Sequence, residues 1–138
     1  MANSLRTLQT WMKISTLLYA VGGTAFAVAP HFVFALMNAG GAVLGLRETP
    51  LQTERFWLCL AVSMMMMLVV CCTLVAQDPK RHLALCIPVF ISKFTSTLMG
   101  LMCFVMDAPL GSYLTIGWTD LPLGIITLWL WRRAQADA

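Results

Sequence analysis

Four apolar stretches, separated by short polar segments, set the pattern of this chain. They run roughly from Ile14 to Leu36, Arg55 to Ala76, Ala84 to Met106 and Ser112 to Trp131. Each reaches the length of about 18 residues or more that reads as a membrane-crossing helix. The pattern predicts an all-α fold, an integral membrane four-helix bundle in which residues 1–138 form a single membrane domain.

The polar segments indicate where helices start and stop. Met1 to Lys13 is a short arm carrying Arg6 and Lys13, with Trp11 placed as an interfacial anchor. The first span is expected to be one helix. Its Ala25-Phe-Ala27 and Ala27-Val-Ala29 triplets, behind a positive segment, imitate a signal-peptidase site. Against cleavage, Pro30 follows the second triplet directly and the apolar character continues to Met37, so retention of the first span is the expectation.

Asn38 to Thr49, with Gly40, Gly41 and Gly45, fits either a flexible loop or a short interfacial helix. In Thr49-Pro50-Leu-Gln52 the threonine can cap a helix, the proline suits its first position, and the glutamine completes a capping box. Asp78 caps the third helix with Pro79 in its first turn, and a bend is expected near Pro88. The fourth helix begins either near Ala108, with Asp107 as its cap, or near Tyr113.

Composition agrees with this layout. The chain is 59% hydrophobic and 11% charged, against roughly 25% charged in a soluble domain. Its mean hydropathy of +0.80 leaves too little polar surface to cover a soluble globule. A net charge of +3, carried at helix ends, gives no nucleic-acid-binding patch. With an even number of spans, Arg6, Lys13, Lys80, Arg81, Arg132 and Arg133 collect on one side, and Arg47 and Arg55 on the other. The positive-inside rule then predicts cytoplasmic N- and C-termini in a membrane of the bacterial inner type.

Chemistry concentrates at one lysine. Lys93 lies about 18 Å from the outer end of the third helix, and an ammonium there needs a partner. Asp120 is the only acidic residue inside a span. If the fourth helix begins near Ala108, Asp120 lies level with Lys93; if it begins near Tyr113, it lies only about 11 Å deep and the lysine must reach. Ser92, Ser96 and Gly100 form a small-residue seam beside Lys93, and Gly117 and Gly124 flank Asp120 on one face. Two such seams favour a close helix contact around the pair. The pair fits either an ion, proton or polar-ligand site or a structural lock on helix register.

Other residues carry less. Met64 to Met67 point in all directions round a helix, and Met99, Met102 and Met106, although on one face, are better read as lipid-facing or gap-filling than as a Cu(I) site. All five cysteines lie in apolar runs without metal or disulfide spacing. His31 and His82 sit at span ends, and Glu54-Arg55 opens the second span beside Phe56 and Trp57. No triad, phosphate loop or paired carboxylates are present, and neither a cofactor nor a metal is expected.

Gly22-Gly23…Pro30, the compact four-span layout and Ser92-Lys93-Phe-Thr-Ser96 followed by an aspartate in the last span resemble small four-span bacterial membrane proteins of the DoxX-like kind. The resemblance implies a membrane protein without a defined activity, with membrane subunits of redox systems among the relatives, and it assigns no site residue. Three functional classes follow. The leading one is a non-catalytic subunit, assembly factor or scaffold in contact with the lipid bilayer and with other membrane chains or copies of itself. The second is an ion, proton or small-molecule transporter component using Lys93 and Asp120. The third is a binder or enzyme for an apolar ligand such as a quinone or sterol.

Overall fold

The computed structural model describes residues 2–50 and 56–137. They form α1 (Ala2–Val28), α2 (Pro30–Val43), α3 (Phe56–Gln77), the single turn α4 (Pro79–His82), a 3₁₀ turn (Leu83–Leu85), α5 (Cys86–Met106) and α6 (Gly111–Asp137). Among the described residues the one strand-like feature is an isolated bridge between Arg47 and Leu110. Three segments, α3, Pro79–Met106 and α6, are long and apolar enough to cross a membrane. A fourth crossing exists if α1 and α2, bent by 110°, count as one broken span.

That bend corrects the expectation of one continuous helix from Ile14 to Leu36. Proline disfavours the α conformation in the residue before it, and Ala29 sits at φ −134°, ψ 56°, outside the helical region. Pro30 then takes the start of α2, where its missing N–H costs nothing. The glycine-rich stretch is helical as far as Val43. It stops at Gly45, whose φ of +67° suits glycine. Gly45 N–H donates to Ala42 O at 3.0 Å and Leu46 N–H to Gly41 O at 3.1 Å, a Schellman ending.

Other boundaries follow local chemistry. Asp78 Oδ1 accepts from Arg81 N–H at 3.1 Å, with Pro79 opening α4. Asp78→Ala is expected to cost about 1 kcal/mol of stability, the typical worth of an N-cap; equilibrium unfolding in detergent micelles measures it. Where a bend is expected near Pro88, the helix instead tightens into a 3₁₀ turn over Leu83–Leu85, one turn earlier, inside a span that runs from Pro79 to Met106. Pro88 is the third residue of α5, where the N–H has no helical partner in any case. Of the capping box expected at Thr49, Gln52 lies outside the described residues, as do Glu54 and Arg55. Thr49 itself is tied elsewhere: its hydroxyl donates to Ser112 Oγ at 2.6 Å.

The helices associate as two antiparallel pairs, α1 with α3 and α5 with α6. In one half of the molecule the pairs close on a core of Leu8 and Met12 from α1, Leu68 and Val75 from α3, Val89 from α5 and Leu130 from α6. Two polar ties brace this packed half. Gln9 Nε2 donates to Ala76 O at 2.7 Å, and Trp11 Nε1 to Thr127 Oγ1 at 2.9 Å, so the indole expected as an interfacial anchor joins α1 to α6. Leu8 and Met12 precede the signal-like triplets, so cleavage there would strip two fully buried side chains from the core. Toward the other half the two pairs diverge, and α2 packs against α6.

Candidate functional site

The buried face of α5 carries Cys86, Val89, Lys93, Thr97 and Gly100, spaced three and four residues apart as one helix face requires. The seam expected at Ser92, Ser96 and Gly100 is therefore rotated by one position. Gly100 lies in the contact, whereas Ser92 and Ser96 are only half-buried and line a cavity. On α6, Gly117 and Gly124 are buried on either side of Asp120. A Cβ added at Gly100 would stand 3.1 Å from Tyr113 O, and one at Gly124 would stand 3.2 Å from Lys93 Cβ. At Gly117 the nearest atom would be a Leu101 methyl at 3.7 Å. Gly100 and Gly124 thus set the closest approach, and Gly117 is less constrained.

This packing fixes the ion pair. The start of α6 at Gly111 falls between the two expected positions. Asp120 lies nine residues into α6, about 14 Å, and Lys93 lies thirteen residues from the end of α5, about 20 Å. The lysine side chain spans that difference of about one turn. Its backbone is level with Gly124, and Nζ meets Asp120 Oδ1 at 3.0 Å. The Ser96 hydroxyl donates to Asp120 Oδ2. On its other side the ammonium lies over the Tyr19 ring, 4.7 Å from the centroid, an attraction added by α1.

The pair is not sealed. The Lys93 and Asp120 side chains are 8% and 15% exposed, and both border a cavity of about 860 Å³ between the diverging helix pairs. Apolar side chains such as Phe26, Phe34, Met37, Leu58, Met65 and Ile116 make up most of its wall. A volume of this size is in the upper part of the range for small-molecule sites, which are mostly apolar with a few polar groups.

A second polar cluster holds the far end of the cavity. Thr49 and Ser112 share a buried hydroxyl–hydroxyl bond. Asn38 of α2 pairs both ways with the Thr49 backbone, donating at 3.1 Å and accepting at 2.8 Å. Arg47 N–H donates to Pro109 O, and Gly111 N–H to Arg47 O, each at 3.3 Å. Gly41 and Gly111 allow this docking by bringing the two backbones together. Sequence reading missed Tyr19, this clasp and the two glycines. Tyr19 carried the one available signal, a polar aromatic in an apolar run, while nothing in the spacing links Gly41 with Gly111.

The remaining candidates scatter. Met99, Met102 and Met106 are exposed on the outer side of α5, and Met64 and Met65 line the cavity. His31 also borders the cavity, and His82 closes α4. No family model, curated protein or solved structure matches the chain. The likeness to DoxX-like proteins therefore rests on its short motifs. One of them has a packing role: a Cβ at Gly23 would stand 2.8 Å from Met66 Cε, so the glycine lets α3 lie close to α1.

Chemically, the site offers a neutral ion pair and a hydroxyl at the inner end of an apolar chamber. It can hold the polar end of a molecule whose remainder is apolar. The described residues near it supply no nucleophile–base arrangement for covalent chemistry.

Proposed function

We propose that this chain is a four-span protein of a bacterial inner-type membrane, termini cytoplasmic, that binds a lipid-soluble ligand in the cavity. Lys93 and Asp120 hold the ligand's polar end. The observation that carries this is the cavity of about 860 Å³ that reaches both members of the pair. A purely structural pair needs no such access. A transport role has less support, because Leu8, Met12, Leu68 and Val75 close the opposite half with almost no exposure. The glycines of the small-residue seams are used within the molecule, where Gly100 and Gly124 pack α5 on α6.

Gentle purification from native membrane, followed by mass spectrometry of an organic extract, tests the proposal. One lipid-soluble species is expected in near-stoichiometric amount, and it should be lost from a folded Lys93→Met/Asp120→Leu variant. Equal retention by that variant would sink the assignment of the pair.

One observation favours a second reading, the non-catalytic subunit or scaffold. The outer face of α2 leaves Phe32, Leu36 and Val43 exposed at 67%, 65% and 86%, without a charged neighbour on that helix. A partner chain recovered at fixed stoichiometry, and lost on Leu36→Glu, is the result that reading requires.

A further inference from the structure

The polar end of the cavity is already balanced in charge. Lys93 and Asp120 are in contact at 3.0 Å, so a charged head arriving beside them would itself be buried without a counter-ion. Burial of an unpaired charge is far more costly than burial of a hydroxyl or carbonyl that finds a hydrogen bond.

Hydrogen-bonding capacity, in contrast, is left over. A lysine ammonium has three donors. One is used on Asp120 Oδ1, and the group also rests on the Tyr19 ring. A carboxylate has about four acceptor sites, of which Lys93 and Ser96 occupy one on each oxygen. The site can therefore donate to an incoming oxygen and accept from an incoming hydroxyl at once.

The route of entry is also legible. Met64 and Thr119 both border the cavity and are both exposed. Each lies eight residues inside its helix, α3 or α6, and so about 12 Å from the helix start. Among the described residues no extensive packing joins α3 to α6. With Met64 and Thr119 exposed on its two flanks, the cavity opens at the depth of the hydrocarbon, where a bilayer core is about 30 Å thick.

Resting on the cavity being a ligand site, we infer that its ligand is an uncharged amphiphile with a hydroxyl or carbonyl head. The head binds Lys93, Asp120 and Ser96; anionic lipids are excluded, and entry is sideways from the bilayer between α3 and α6. A single-chain alcohol, a prenol, a sterol or a quinone has this chemistry; a fatty acid, an alkyl sulfate or a phospholipid does not.

The test uses the purified full chain with tritiated hexadecanol, competed by unlabelled hexadecanol, hexadecyl sulfate and hexadecyltrimethylammonium. The three probes share one chain and differ only in the charge of the head. Saturable hexadecanol binding is expected, with both charged analogues at least about tenfold weaker as competitors. Hexadecyl sulfate competing as well as the alcohol would overturn the inference while leaving the cavity a ligand site. No saturable binding of any probe would remove the ligand site itself. A second measurement isolates the route: Thr119→Trp should slow uptake of hexadecanol from neutral phosphatidylcholine vesicles by a larger factor than it weakens equilibrium binding. An unchanged uptake rate would overturn sideways entry.

Discussion

Lys93→Met alone is expected to lower stability by about 3–5 kcal/mol, the scale on which removing one partner strands a buried charge. Asp120→Leu alone should do much the same. The double variant should recover most of the loss, because an apolar pair of similar volume removes both desolvation penalties together. The geometry supports strong coupling: a separation of 3.0 Å, side chains 8% and 15% exposed, and one helix interface shared by both residues. A double-mutant cycle read by unfolding in mixed micelles measures the coupling. Additive losses in the double variant would show that the two side chains do not depend on each other. Tyr19→Leu gives a finer reading, since it removes the ring from beneath the ammonium and leaves the ion pair in place. Its share should be about 0.5–2 kcal/mol, the range for a cation over an aromatic face.

The cycle also separates structure from function. If the double variant folds and still retains a lipid-soluble ligand, the pair serves only to hold α5 on α6. If it folds and loses the ligand, the pair serves the cavity. Recovery of stability and loss of ligand together are expected, because the Lys93–Asp120–Ser96 group borders an open chamber instead of being packed on all sides.

Helix content, three spans and the Lys93–Asp120 juxtaposition were legible in the sequence because each rests on a local or one-dimensional signal. Apolar run length marks α3, α5 and α6; Asp78-Pro79 marks a helix start; and the short turn from Asp107 to Leu110 makes α5 and α6 neighbours. The break at Ala29 was present as Pro30, but a proline inside an apolar run can kink, end or restart a helix. Composition does not choose among these outcomes. The cavity could not be read at all. It arises because the two helix pairs diverge, and side-chain volumes summed over several helices decide that, not any periodicity. The rotation of the α5 seam from Ser92–Ser96 to Lys93–Thr97 has the same origin: small residues permit close approach, but the facing helix selects which of them it meets.

Gly111→Ala should cost about 1–3 kcal/mol, the usual penalty of overpacking, and should loosen α2 from α6. An added Cβ would stand 2.7 Å from Gly41 Cα and 3.4 Å from Met37 O, all backbone atoms with no rotamer to yield. Gly41→Ala meets the same obstacle from the other side, 2.8 Å from Gly111 Cα, and should cost a similar amount. The two losses should not add, because the first substitution already separates the helices. Gly40 supplies the control. It is the neighbouring residue in α2, a Cβ there meets nothing within 4 Å, and Gly40→Ala should stabilise by about 0.5–1 kcal/mol through helix propensity alone. Unfolding of the three variants in the same micelles distinguishes a packed interface from a general effect of glycine in a helix. Gly111→Ala and Gly41→Ala matching Gly40→Ala in sign would mean that α2 does not lie against α6. Once α2 is pushed away from α6, Asn38 would no longer hold Thr49 against Ser112, and the cavity would be without the wall formed by Val33, Phe34 and Met37. Ligand retention should therefore fall in Gly111→Ala even though the residue is nine positions from Asp120 and touches no part of the ion pair.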